Sequence, residues 1–145
     1  MPFFSFPAPM ASAALAAIVA ACPAAFAQQA QDVAQAERAA EQWLHQADEG
    51  QYGAAWDASA PVLHATVPRA QWLSTMEAVR TPLGAVRQRV RRSATFMREM
   101  PGVPDGEYVV IQYETVFENK AKSVETITPL RDKDGKWRVS GYFIQ

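Results

Sequence analysis

The chain has 145 residues, a formal net charge of -1 and 20% charged residues. That length suits one domain better than two. The balanced charge gives no electrostatic reason to expect nucleic acid or an acidic membrane surface as a partner. Charge is also unevenly placed: the first ionised side chain is Asp32, and all 14 basic and 15 acidic residues lie from there onward.

The uncharged opening reads as a targeting segment. Ala11 to Ala21 is a small, apolar run, and Ala25-Phe26-Ala27 before Gln28 has the small-x-small form that signal peptidase accepts. No Lys or Arg precedes the run, so either the true start differs from Met1 or the amino group of Met1 serves alone as the leading positive charge. Pro23 breaks the stretch, which is too short for a spanning helix. Residues 1–27 are thus expected to be a signal peptide, residues 28–145 the mature domain, and the periplasm the destination. Val19-Ala20-Ala21-Cys22 offers an alternative, lipidation at Cys22, although Pro23 directly after the Cys is a poor context for it. Only in that case is a membrane a partner. With the cut at Ala27 the mature chain keeps no cysteine, which excludes disulfides and thiol catalysis.

Helical periodicity comes first in the mature part. Val33, Ala36, Ala40, Trp43, Leu44 and Ala47 form one apolar stripe that Gly50 ends. A short helix follows with Tyr52, Ala55 and Trp56 on one side, and Pro61 is expected to interrupt it. A third helix starts near Pro68, with Thr66 as its expected cap, and carries Trp72, Leu73, Met76, Val79 and Leu83. Thr81-Pro82 and Gly84 end it.

The period then changes to two. Ala85 to Met97 is expected to place Val86, Val90, Ala94 and Phe96 on one strand face and Arg87, Arg89 and Arg91 on the other. After the turn-rich loop Met100 to Gly106 comes the clearest strand, Tyr108 to Phe117. Glu118-Asn119-Lys120 leads into Ala121 to Leu130, and Asp132 to Gly135 signals a hairpin before Trp137, Val139, Gly141 and Phe143 alternate to the end. Such short connections force antiparallel neighbours. The fold class is therefore α+β, with three N-terminal helices on a four-stranded antiparallel meander.

This order of elements resembles the cone-shaped nuclear transport factor 2-like and cystatin-like domains. More narrowly, the chain resembles the bacterial family called domain of unknown function 4019. Trp43, Gly50-Gln51-Tyr52, Trp56, Trp72 and Arg80-Thr81-Pro82-Leu83-Gly84 carry the likeness, with Pro104 to Val110, Phe117, Val124-Glu125-Thr126 and Gly135 to Tyr142. The resemblance implies an exported protein of no assigned activity and transfers no catalytic residues. The wider fold hosts enzymes, ligand binders and interaction modules alike.

Among individual residues, Arg80 falls within the apolar stripe of the third helix, where a cation needs a partner; mid-strand Glu125 is the expected one. The structural reading is a clamp from helix to sheet. The functional reading makes Arg80 and Glu125 the polar floor of a ligand pocket, with Tyr113 and Trp137 as further candidates. Tyr113 with Glu125 is also the pair available for acid–base work. Trp43, Trp56 and Trp72 lie on apolar stripes and read as core. The arginines at 87, 89, 91 and 92 read as a solvated face paired across strands, or else as an anion site.

Glu41 and His45 have helical ligand spacing but no third ligand nearby, and Asp132-x-Asp134-Gly135 lacks the remainder of a calcium loop, so neither a metal nor a cofactor is expected. No nucleophile elbow, phosphate loop or dinucleotide motif occurs. The sequence reading is a non-catalytic module that binds a small molecule or an envelope protein. A cofactor-free lyase or isomerase, and a homodimer formed through the sheet, are the alternatives.

Overall fold

The computed structural model describes residues 23–145. The apolar run Ala11–Ala21 and Cys22 lie outside the described residues. Four helices, α1 (Pro23–Asp48), α2 (Tyr52–Asp57), α3 (Pro61–Thr66) and α4 (Arg69–Leu83), precede four strands, β1 (Val86–Met97), β2 (Tyr108–Phe117), β3 (Lys120–Arg131) and β4 (Trp137–Ile144). The strands form one antiparallel sheet in the order β1-β2-β3-β4, the meander that the short connections dictate.

Alanine dominates the buried side of α1: Ala36, Ala40 and Ala47 flank Trp43 and Leu44 there. Small side chains let the helix axis approach the sheet closely, and α1 touches all four strands. The helix begins well before the apolar stripe, but residues 23–31 are all exposed and Asp32 is the first buried position.

The expected count of three helices is corrected to four. Pro61 does not merely interrupt; it opens α3 from its first turn, where a missing N–H costs nothing. Thr66 is not a cap. Its hydroxyl donates back to the Val62 carbonyl inside α3, and Pro68 occupies the start of α4 with no side-chain cap. The C-terminus of α4 is closed by the β2–β3 turn: Asn119 N–H donates to the Leu83 carbonyl and Asn119 Nδ2 to that of Pro82. Gly84 makes that junction possible. Its φ of +75° is left-handed, and a Cβ there would lie 2.9 Å from Glu118 Cβ.

The second correction concerns β1. Its register slips between Val86 and Gln88 and again between Arg91 and Ser93. Each slip is a bulge that inserts a residue and exchanges the faces of the strand. Ala94 and Phe96 pack on the core as expected, but Val90 points away and is 52% exposed. Arg89 and Arg91 instead face the helices, where Arg89 pairs with Asp48 and Arg91 with Glu37, both on α1. The expected stripe of three arginines therefore does not form. Arg87 and Arg92 remain outside and pair with Glu118 and Glu114.

Between α1 and the sheet lies one core built on Trp43. Its ring meets Trp72 edge-on at 5.8 Å and Tyr142 at 4.9 Å, and its N–H is shared by the Ala55 carbonyl and Ser59 Oγ, each at 2.9 Å. Val109, Ile111, Ile127 and Val139 supply the sheet side.

Candidate functional site

Where the C-terminus of α1 crosses β1, β2 and β3, six polar side chains converge. Glu125 on β3 is fully buried. Its carboxylate accepts Arg89 Nε at 2.7 Å and Arg89 Nη2 at 3.1 Å, together with the hydroxyls of Thr115 and Tyr142. Four donors leave this group no free lone pair for a substrate. Arg89 also donates to both oxygens of Asp48, at 2.7 and 3.0 Å.

Arg80 comes to the same centre from α4. It donates to Asp48 Oδ1 at 2.7 Å and to the Tyr142 hydroxyl at 3.3 Å, and its guanidinium lies 5.3 Å from the Phe117 ring centre. The expected Arg80–Glu125 pair is thereby corrected. Tyr142 stands between them, Asp48 is the direct partner of Arg80, and Glu125 belongs to Arg89. Two arginines and two carboxylates balance, so burial leaves no uncompensated ion.

Asp48 sits at the negative end of α1, an unfavourable place for an anion. Burial alone would raise its carboxyl pKa, but hydrogen bonds from Arg89 and then Arg80 outweigh it and hold the group below its ordinary value. A depressed native pKa stabilises the fold above the ordinary carboxylate range. That stability is expected to persist down to about pH 4 and to fall away as the pH drops through the native value below it. Urea midpoints measured across that range check this, and Asp48→Asn is expected to flatten the slope.

Beside the network opens a cleft of about 320 Å³ lined by Glu41, Leu44, His45 and Asp48 of α1, Arg89 of β1 and Tyr113 of β2. Tyr113 is buried, yet its hydroxyl has no hydrogen-bond partner. Burial, with the Glu41 carboxylate next in weight, pushes its pKa up, so it stays a neutral donor at physiological pH. His45 is exposed and lies 3.3 Å from Glu49.

Of the four residues singled out from the sequence, Arg80 and Glu125 thus meet in one network, and Tyr113 lies beside it, paired with Glu125 across the strands. Trp137 is not brought to them. It lines a separate cavity with Trp43 and Gln46. Sequence reasoning missed Asp48, Thr115 and Tyr142, and reads Arg89 as part of a solvated face rather than of this centre. The available signal for Asp48 was an acidic residue at a helix end that Gly50 terminates.

A family model described as "Protein of unknown function (DUF4019)" matches residues 39–142. The chain belongs to the DUF4019 family. Every network residue, Asp48, Arg80, Arg89, Thr115, Glu125 and Tyr142, falls within the matched part of this DUF4019 chain, as does the cleft. No curated protein matches it. A solved structure from Catenulispora acidiphila is similar, with a TM-score of 0.50 and 14% identity over 81% of this chain and 93% of that one. That likeness speaks to the fold of the DUF4019 domain alone.

Proposed function

We propose that this DUF4019 protein is an exported, non-catalytic binding module, built as a cone of the nuclear transport factor 2-like and cystatin-like kind. It receives a polar group of a small ligand or protein partner in the cleft over Tyr113. The observation that carries the reading is the unpartnered Tyr113 hydroxyl. A buried donor without an acceptor costs about 1–3 kcal/mol, which a purely structural residue would shed as Phe. Four helices against one face of an antiparallel meander support the cone.

Export rests on the targeting segment. Exposure of residues 23–31 supports it, since a cut at Ala27 takes no described residue from the core. Among the described residues no helix is long and apolar enough to cross a membrane. A lyase or isomerase reading asks for a carboxylate free to move a proton, whereas Glu125 is sealed and saturated. A homodimer through the sheet has thinner support. On the outer face the half-exposed Val90 and Phe143 are separated by the exposed Gln112 and Glu114.

Two expectations follow for Tyr113→Phe. By urea unfolding the variant is as stable as the parent or more so, by up to about 1 kcal/mol. In a thermal melt, small-molecule extract from the periplasm raises the midpoint of the parent and not of the variant. An equal rise in both, or none in the parent, defeats the cleft as the binding site.

A further inference from the structure

The second cavity, away from the cleft, lies between α1, the residues after α2 and the start of β4. It measures about 120 Å³, and its walls include Ala39, Trp43, Gln46, Ala58, Trp137 and Val139. Three of the four tryptophans satisfy their indole N–H inside the fold: Trp43 on Ala55 and Ser59, Trp56 on the Val67 carbonyl, Trp72 on that of Tyr52. Trp137 does not. It is 8% exposed, and its Nε1 has no partner. Gln46 brings the complementary deficit to the same cavity, a buried Oε1 that accepts nothing. The residues that carry this unpartnered donor and this unpartnered acceptor thus line one space.

The remaining lining fixes what such a space accepts. Ala39, Ala58, Val139 and the Trp43 ring are apolar. Arg138 also borders it, but its guanidinium is held by Asp132 at 2.8 Å and by both oxygens of Asp134, at 2.9 and 2.7 Å. No uncompensated charge is therefore offered. A carboxylate would satisfy Trp137 and oppose the Gln46 oxygen; an ammonium would do the reverse. A neutral group with an acceptor and a donor side by side meets both.

We propose that this cavity is a second binding site, for a small uncharged amide whose carbonyl accepts the Trp137 indole N–H and whose N–H donates to Gln46 Oε1. The apolar walls take the remainder of the molecule. The site is independent of the cleft over Tyr113 and stands or falls separately from it.

Acetamide is the probe, read by the indole N–H resonances of the ¹⁵N-labelled protein. The Trp137 signal is assigned by its loss in Trp137→Phe, or by its contacts with Val139 should that variant not fold. Acetamide is expected to move the Trp137 signal saturably while the Trp56 signal stays in place. In Gln46→Met, which keeps the bulk and removes the acceptor, the affinity is expected to fall about five- to tenfold. Acetate and methylammonium are expected to leave the signal unmoved. The site is overturned if acetamide fails to move Trp137, as in a cavity that holds only water. Equal movement of all four indoles, an unchanged affinity in Gln46→Met, or an equal response to acetate overturns it as well.

Discussion

Glu125→Ala is expected to cost about 3–5 kcal/mol of folding stability, among the largest losses any single change in this chain produces. The reason lies in what remains behind. Arg89 donates four hydrogen bonds to Glu125 and Asp48 with only a small part of its side chain in water, and Asp48 is already shared with Arg80. Without Glu125 the centre holds two guanidinium groups against one carboxylate, and the hydroxyls of Thr115 and Tyr142 lose their acceptor. A drop in melting temperature on the order of 10 °C or more follows for a domain of this size. Glu125→Gln keeps the shape and an acceptor, so it is expected to lose less. A cost below about 1 kcal/mol for the alanine variant, by urea unfolding, would show that the network is not the junction of helix and sheet.

Trp43→Ala comes next, at about 3–5 kcal/mol. Trp43 is buried where α1, α4 and β4 meet, against Trp72 and Tyr142. Its N–H also ties α1 to α2 through Ala55 and to the following turn through Ser59. Truncation opens a void lined by two large rings that cannot collapse without moving the helices. Trp43→Phe fills most of the void and loses chiefly the shared hydrogen bond, so about 1–2 kcal/mol is expected. Near-ultraviolet circular dichroism and denaturant unfolding measure both variants; equal losses for Ala and Phe would contradict packing as the main cause.

Periodicity made most of this architecture legible. The α1 stripe from Ala36 to Ala47 is buried as its spacing required, and β2 alternates in the expected sense, whereas a register shift opposite β4 turns Tyr142 rather than Phe143 to the core. What failed to show is instructive. A bulge leaves no mark in a run such as Val86 to Met97, so strict alternation placed Arg89 in solvent and Val90 in the core. Pro61 has the same letter whether it breaks one helix or begins the next.

The site suffered from the same blindness. Arg80 was identifiable as a cation on an apolar stripe, and a clamp was the right physical expectation, but its partner depends on which carboxylate the fold delivers. Asp48 arrives from a helix end and Arg89 through the bulge, and neither placement is local in sequence. Tyr113 and Trp137 stood out as candidates without any hint that each keeps an idle buried hydrogen-bonding group. That property exists only once every neighbour is in place.

Native mass spectrometry of the protein purified from the periplasm of an expressing cell tests the central proposal most directly, because it reads the N-terminus and any retained ligand in one spectrum. An exported binding module is expected to give a mass that starts at Gln28 and a second species heavier by one small molecule or partner, absent from Tyr113→Phe. A chain that retains residues 1–27 contradicts export. A correctly cut chain that carries nothing, alone and after incubation with periplasmic extract, contradicts binding.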